Sequence, residues 1–225
     1  MRYDVILLDI DGTLFDFLAS SRECLEQTFA RFGLPFSDGD RERFFTINNG
    51  FWAAYERGEI EKAAIYEGRF YRFFEERGEA PDVPTINRYY MARLGQSCHV
   101  IPHARELLEG LTARGCEIHA VTNGESLTQL PRIAASGLGH LLPSVFVSDD
   151  VGAQKPTREF FDFVFRAIGE EKRSRAIVLG DSLTSDMQGG RNAGVATCLF
   201  GDRQKADDRC DFVVSDLLDF LDVIA

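Results

Sequence analysis

Six short apolar stretches punctuate the sequence: Val5–Leu8, Ile118–Val121, Val145–Val147, Ile177–Leu179, Ala196–Phe200 and Phe212–Val214. Each is a largely continuous apolar run rather than an alternating one, the pattern of a strand buried on both faces of a parallel sheet. Helical patterns lie between them. Ala104–Arg114 sets Leu107, Leu108 and Leu111 on one face and meets Gly115 as a stop. Arg158–Ala167 carries Phe160, Phe161, Val164 and Phe165 as one stripe, continued by Ile168. Strand and helix in alternation predict an α/β fold built on a doubly wound, Rossmann-like parallel sheet.

The strand signal vanishes over residues 16–95. That segment holds ten of the 19 Phe, five of the six Tyr and the one Trp of the chain. Such enrichment lets a small helical unit build a core of its own despite its unfavourable surface-to-volume ratio. The expected organisation is an α/β core of residues 1–15 and 96–225, with residues 16–95 inserted after the first strand as a helical cap. Ser20-x-x-Glu23 reads as a capping box opening a helix with Leu25, Phe29 and Phe32 on one face and Gly33 after it. A later helix carries Tyr66, Phe70, Phe73 and Phe74 before Gly78.

Composition excludes several classes. The net charge of −11 opposes binding to nucleic acid polymers and to anionic membranes, so neither is an expected partner. No stretch approaches the ~20 apolar residues of a membrane span. The apolar run Val5–Leu8 is cut short by Asp9, which argues against a signal peptide and makes a cytoplasmic location the expectation. Five scattered cysteines without a C-x-x-C pair, and four dispersed histidines, suggest reduced thiols and no zinc site. The same charge repels a small anionic substrate, so any phosphate chemistry here would need a local positive centre.

Four of the strands run into polar residues. The first leads into Asp9-Ile10-Asp11-Gly12-Thr13 and the second into Thr122-Asn123-Gly124; the third precedes Asp149, Asp150 and Lys155-Pro156, and the fourth Gly180-Asp181-Ser182 with Asp186 beyond. Taken singly, each is an ordinary turn or cap. In an open parallel sheet, however, the carboxyl ends of the strands share one edge, where ligands bind at the topological switch point. Four clusters in this order therefore converge. In an extended segment Asp9 and Asp11 point to one side and Ile10 to the other. Two neighbouring carboxylates call for a cation, and Mg²⁺ between Asp9 and Asp181 would keep Asp9 ionised while Asp11 serves as the acid. Gly12 permits a sharp turn that brings backbone N–H groups near an anion. Lys155 offers positive charge, Thr122 a hydroxyl, and Asn123 with the Gly124 backbone further donors, all suited to phosphoryl oxygens.

With these four motifs the sequence resembles the haloacid dehalogenase-like superfamily along its whole length, and the helical insertion resembles that superfamily's first cap type. The resemblance implies that Asp9 attacks phosphorus to give an aspartyl-phosphate, and that Asp11 protonates the leaving alcohol and then activates water. It implies Mg²⁺ held by Asp9, the backbone carbonyl of Asp11 and Asp181, with Asp186 close by, and phosphoryl oxygens held by Thr122 and Lys155. The founding dehalogenases lack an aspartate at the position of Asp11, so dehalogenation is not expected.

A narrower similarity is to the bacterial pyrimidine 5′-nucleotidase branch. It rests on Trp52-x-x-Tyr55-x-x-Gly58, on Thr122-Asn123-Gly124 with Gln129, on Ser148-x-x-x-Gly152-x-x-Lys155-Pro156 and on Ser185-Asp186-x-x-Gly189-Gly190. Trp52 and Tyr55 are candidates to stack on a nucleobase, and Asn48, Asn49 and Arg69 are the polar cap residues of interest. The expected partner is a small phosphorylated metabolite and the expected assembly a monomer or homodimer. A phosphatase for phosphoglycolate or a sugar phosphate, a phosphomutase, and a non-catalytic binding protein on the same fold stay open.

Overall fold

The structure, a computed structural model, describes residues 2–225. In chain order its principal elements are β1 (Val5–Leu8), α1 (Phe17–Arg31), α2 (Asp38–Glu56), α3 (Ala63–Glu76), α4 (Val83–Leu94), α5 (Ala104–Ala113), β2 (Glu117–Thr122), α6 (Ser126–Ala135) and β3 (Ser144–Val147). They continue with α7 (Ser148–Val151), α8 (Arg158–Ile168), β4 (Ala176–Gly180), α9 (Gln188–Ala193), β5 (Ala196–Phe200), β6 (Phe212–Val214) and α10 (Phe220–Val223).

All six apolar stretches become strands of one parallel sheet in the order β3-β2-β1-β4-β5-β6. β1 lies between β2 and β4, with Leu8 opposite both Ala120 and Leu179. From β1 the chain winds outward through β2 and β3, then returns to the other side of β1 as β4. The winding direction thus reverses at β1, and the carboxyl ends of β1 and β4 open onto the crevice that such a reversal leaves. Alternate β1 residues face opposite layers. Ile6 and Leu8 join Leu107, Leu108 and Leu111 of α5 with Phe220 of α10, whereas Val5 and Leu7 join Phe160, Phe161, Val164 and Phe165 of α8. Each such side chain contributes about 1.5–3 kcal/mol by leaving water, so β1 is anchored from both faces.

The chain divides into two compact units, one formed by the described residues up to Phe17 together with Cys98–Ala225, the other by Leu18–Ser97. The second is all helical. Phe29, Phe44, Phe70, Phe73 and Phe74 are buried in it and meet largely edge to face, with Phe44 and Phe73 centroids 5.8 Å apart at 70° and Phe70 and Tyr90 5.5 Å apart at 70°. These are favourable aromatic geometries.

One local expectation is corrected here. Ser20 does not open a helix: α1 begins at Phe17, and Ser20 and Ser21 are buried within it, Ser21 Oγ sharing a 2.7 Å hydrogen bond with Tyr90 Oη. The capping box of this unit is instead at the start of α2, where the Asp40 N–H donates to Ser37 Oγ and the Ser37 N–H donates to Asp40 Oδ2. Two of the polar cap residues of interest, Asn48 and Arg69, are each 2% exposed. The Arg69 guanidinium donates to Asn48 Oδ1 (2.8 Å) and sits 5.0 Å from the Tyr90 ring centroid. Aromatic faces and an amide oxygen accommodate a cation that hydropathy assigns to the surface. Among the described residues no helix is long and apolar enough to cross a membrane, and the five cysteines are free thiols.

Candidate active site

Asp9 follows directly on β1 and is carried to the sheet edge by that strand, its N–H donating to the Leu179 carbonyl (2.9 Å). The side chain is 6% exposed. Oδ1 accepts a 2.6 Å bond from Lys155 Nζ and Oδ2 a long 3.4 Å bond from Thr13 Oγ1. Burial, and then the negative charge of Asp186, hold the Asp9 carboxyl well above the usual carboxylate range, against the opposing pull of Lys155.

Lys155 is 1% exposed, and its ammonium donates to Asp9 Oδ1, to Asp186 Oδ1 (2.6 Å) and to the Val121 carbonyl (3.0 Å). All three ammonium hydrogens are thereby committed. Burial alone would lower its pKa, but Asp186 and Asp9 outweigh burial and raise it, so Lys155 stays charged. Asn123 sets the lysine's backbone in place: Asn123 Nδ2 donates to the Lys155 carbonyl and the Lys155 N–H donates to Asn123 Oδ1, both at 2.8 Å. Thr122, 2% exposed, accepts the Gly124 N–H on Oγ1 at 2.9 Å. Thr122, Asn123 and Gly124 therefore form one bonded turn at the end of β2.

Asp181 follows β4, and a wide turn over Leu183–Met187 brings Asp186 back beneath it, with Asp186 Oδ2 accepting the Ser182 N–H (3.1 Å). One oxygen of each of Asp9, Asp181 and Asp186 lies within 4.8 Å of the others. Loss of hydration, and then the negative charge of Asp186, raise the Asp181 carboxyl to about 7, although part of its surface still meets solvent. Three carboxylates face a single ammonium, an excess of negative charge on hard oxygen donors. That donor set fits Mg²⁺. Gly12 adopts φ 87°, and a Cβ there would lie 2.2 Å from Asp181 Oδ2, so the loop after β1 passes this close only because residue 12 lacks a side chain.

Asp9 and Asp11 take different partners beyond the end of β1 at Leu8. Asp9 turns to Lys155, while Asp11 turns to α6, where Arg132 Nη1 donates to Oδ1 (2.6 Å) and Gln129 Nε2 donates to Oδ2. On the helical unit, Trp52 and Tyr55 lie one turn apart on α2 with rings in an edge-to-face pair, centroids 5.9 Å apart. Tyr55 is buried there, 7% exposed, and Trp52 is half-buried.

Residues 3–194 match the sequence profile of the haloacid dehalogenase-like hydrolases. The chain belongs to this family. It is an enzyme of the hydrolase class. YfnB of Bacillus subtilis (strain 168), named as a HAD-hydrolase, is 34% identical over 197 residues, which span 88% of this chain and 83% of that protein. Its crystal structure, bound to magnesium, superposes with a TM-score of 0.93 over 100% of this chain and 99% of that one, at 30% identity. The pyrimidine 5′-nucleotidase PynA of Streptococcus pneumoniae is 32% identical over 89% of this chain and 84% of its own length. The pyrimidine 5′-nucleotidase YjjG of Escherichia coli (strain K12) is 31% identical over 88% and 86%.

In this hydrolase the site residue missed by reading the sequence is Arg132. It is fully buried and bonded to Asp11. Its signal was available: Gln129 and Arg132 are three apart on α6 and share a helix face, so an inward Gln129 brings Arg132 inward too.

Proposed function

We propose that the protein is a Mg²⁺-dependent phosphatase for small phosphomonoesters, with pyrimidine nucleoside 5′-monophosphates as its preferred substrates. The observation that carries this reading is the buried Asp9, bonded to Lys155 at the carboxyl end of β1 and grouped with Asp181 and Asp186. A carboxylate so placed suits nucleophilic attack on phosphorus at a site where positive charge is concentrated.

Asp9 attacks the phosphorus atom, forming an aspartyl-phosphate as the ester P–O bond breaks, and the departing oxygen takes a proton from Asp11. Water then attacks the phosphorus, Asp11 takes its proton, and Asp9 is released with inorganic phosphate. The hydroxyl and backbone of the Thr122–Gly124 turn serve the phosphoryl oxygens; Lys155, its three hydrogens already donated, adds positive charge beside them and orients Asp9. Asp9, Asp181, Asp186 and the backbone carbonyl of Asp11 would hold Mg²⁺, which when bound supplies charge neutralisation for the phosphoryl group.

The nucleotidase assignment is supported by the two related pyrimidine 5′-nucleotidases and by the motif Trp52-x-x-Tyr55-x-x-Gly58. We assign base selectivity to the helical unit, with the half-buried Trp52 as the stacking residue. Tyr55, buried behind it, supports the Trp52 ring.

The test is phosphate release from UMP, dUMP, TMP, purine monophosphates, phosphoglycolate and sugar phosphates, with Mg²⁺ and after EDTA. EDTA-sensitive release favouring the pyrimidine monophosphates is the expected result. EDTA-sensitive release favouring another ester would discard the nucleotidase assignment and keep the phosphatase. An isomerised ester without free phosphate would replace hydrolysis by phosphomutase chemistry.

A further inference from the structure

Both oxygens of the Asp11 carboxyl are held from α6, by two different side chains. Arg132 Nη1 donates to Oδ1 at 2.6 Å, Gln129 Nε2 donates to Oδ2, and Arg132 Nη1 also approaches Gln129 Oε1 at 3.4 Å. Gln129 and Arg132 are 2% and 0% exposed, so their rotamers are locked by packing. Asp11 itself keeps about a quarter of its side chain exposed, 26%, and so remains open to a ligand.

Two further features support this arrangement. The Arg132 guanidinium lies 5.3 Å from the ring centroid of Phe15. Phe15 is buried and closes the loop that carries Asp11, its carbonyl accepting the Gly12 N–H (2.8 Å) and its own N–H donating to the Ile10 carbonyl (2.9 Å). The arginine therefore braces both the loop and the carboxyl it presents. At Gly124, a Cβ would lie 2.1 Å from Gln129 Nε2, so the glutamine reaches Asp11 through space that only glycine leaves empty.

We infer that Gln129 and Arg132 are positioning residues that seat the Asp11 carboxyl for proton transfer, and that Gly124 keeps Gln129's path open. This inference rests on the phosphatase reading above. A carboxyl oxygen has two lone pairs, so each Asp11 oxygen that accepts one bond from α6 retains a second position for a proton or a donor. The pair leaves Asp11 competent while removing its rotational freedom. Misplacement of a catalytic group by about 1 Å costs on the order of 10²-fold in rate.

The experiment uses the leaving group as its reporter. With Mg²⁺ present, kcat/KM covers the steps up to formation of the aspartyl-phosphate. A p-nitrophenolate leaves without needing a proton, whereas an alkoxide, as from a nucleoside 5′-monophosphate, needs the one Asp11 supplies. Gln129→Met, Arg132→Lys and Arg132→Met are compared on both ester types. Gln129→Met is expected to lower kcat/KM by about 10- to 100-fold for the alkyl ester and by less than about 3-fold for the aryl ester, at or below the ~10²–10⁴-fold that an acid–base group contributes in full. Arg132→Lys, which keeps one charged donor, is expected to retain more alkyl-ester activity than Arg132→Met.

Equal losses on both esters, or no loss on either, overturn the positioning role and leave the phosphatase reading standing. Should Arg132→Met fail to fold, the Gln129→Met result decides. An Asp9→Asn variant that still turns over removes the phosphatase reading, and the positioning role falls with it.

Discussion

Lys155 Nζ and Asp9 Oδ1 are 2.6 Å apart although 146 positions separate the two residues in the chain. The same ammonium holds Asp186 Oδ1 at 2.6 Å. One buried cation thus secures a carboxyl at the end of β1 and another in the turn beyond β4. Lys155→Met removes the cation and leaves two buried acids facing each other. Breaking a buried pair in this way costs about 3–5 kcal/mol, and loss of the positive charge beside the phosphoryl group lowers turnover by about 10²–10³-fold. Urea unfolding and phosphate-release assays check both; a variant as stable as the parent would show that Asp9 and Asp186 do not need the lysine.

Asp9→Asn nearly preserves the shape of the side chain and removes the nucleophile. Turnover is expected to disappear. The melting temperature is not expected to fall, because burial and Asp186 already disfavour the charged form of Asp9. Acid-quench trapping of labelled phosphate on the parent protein, but not on Asp9→Asn, is the companion measurement. Label retained on the variant would place the phosphoryl group elsewhere.

Gly12→Ala tests the approach of the loop after β1 to Asp181. At φ 87° an alanine is strained by about 1–2 kcal/mol, and its Cβ would collide with Asp181 Oδ2. Asp181 has to move, so Mg²⁺ affinity measured by calorimetry is expected to fall at least about 10-fold, with a smaller loss in overall stability. Unchanged Mg²⁺ binding would remove Asp181 from the proposed ligand set.

The metal-free protein has a definite pH signature. Asp181 is raised to about 7, and Asp9 is raised as well, both above the 3.8 of an unperturbed aspartate. A folded-state pKa above the unfolded value gives stability that is fully present below the unfolded pKa and lost as pH rises through the folded one. Without Mg²⁺ the melting temperature is therefore expected to carry a component that declines from about pH 4 to beyond pH 7. Metal binding requires the ionised carboxylates, so the rise in melting temperature on adding Mg²⁺ should grow between pH 6 and pH 8. A metal-induced shift independent of pH over that range would contradict the raised carboxyls.

Much of this molecule is legible in one dimension. The six strands are local apolar runs, and their continuous hydrophobicity already implies burial on two faces. The order of polar clusters at their ends, Asp9 to Asp186, follows from that, because parallel strands bring their carboxyl ends to one edge whatever the intervening sequence. Helix starts were less secure. Ser20-x-x-Glu23 carries the capping signature, yet α1 starts at Phe17 and buries Ser20, since packing inside the unit outweighs about 1 kcal/mol of capping preference.

What only the tertiary structure decided is where the buried charges and their partners lie. Sequence alone placed Asp9 and Asp11 side by side in a shared site. The fold turns one to Lys155 and the other to Gln129 and Arg132, because the strand ends at Leu8 and α6 packs against the loop that follows. It likewise draws Arg69 into an aromatic interior that no hydropathy pattern marks. Apolar periodicity is set by neighbours a few residues away, so sequence determines it. The burial of a charge depends on a partner supplied from far along the chain, so it exists only once the chain has folded.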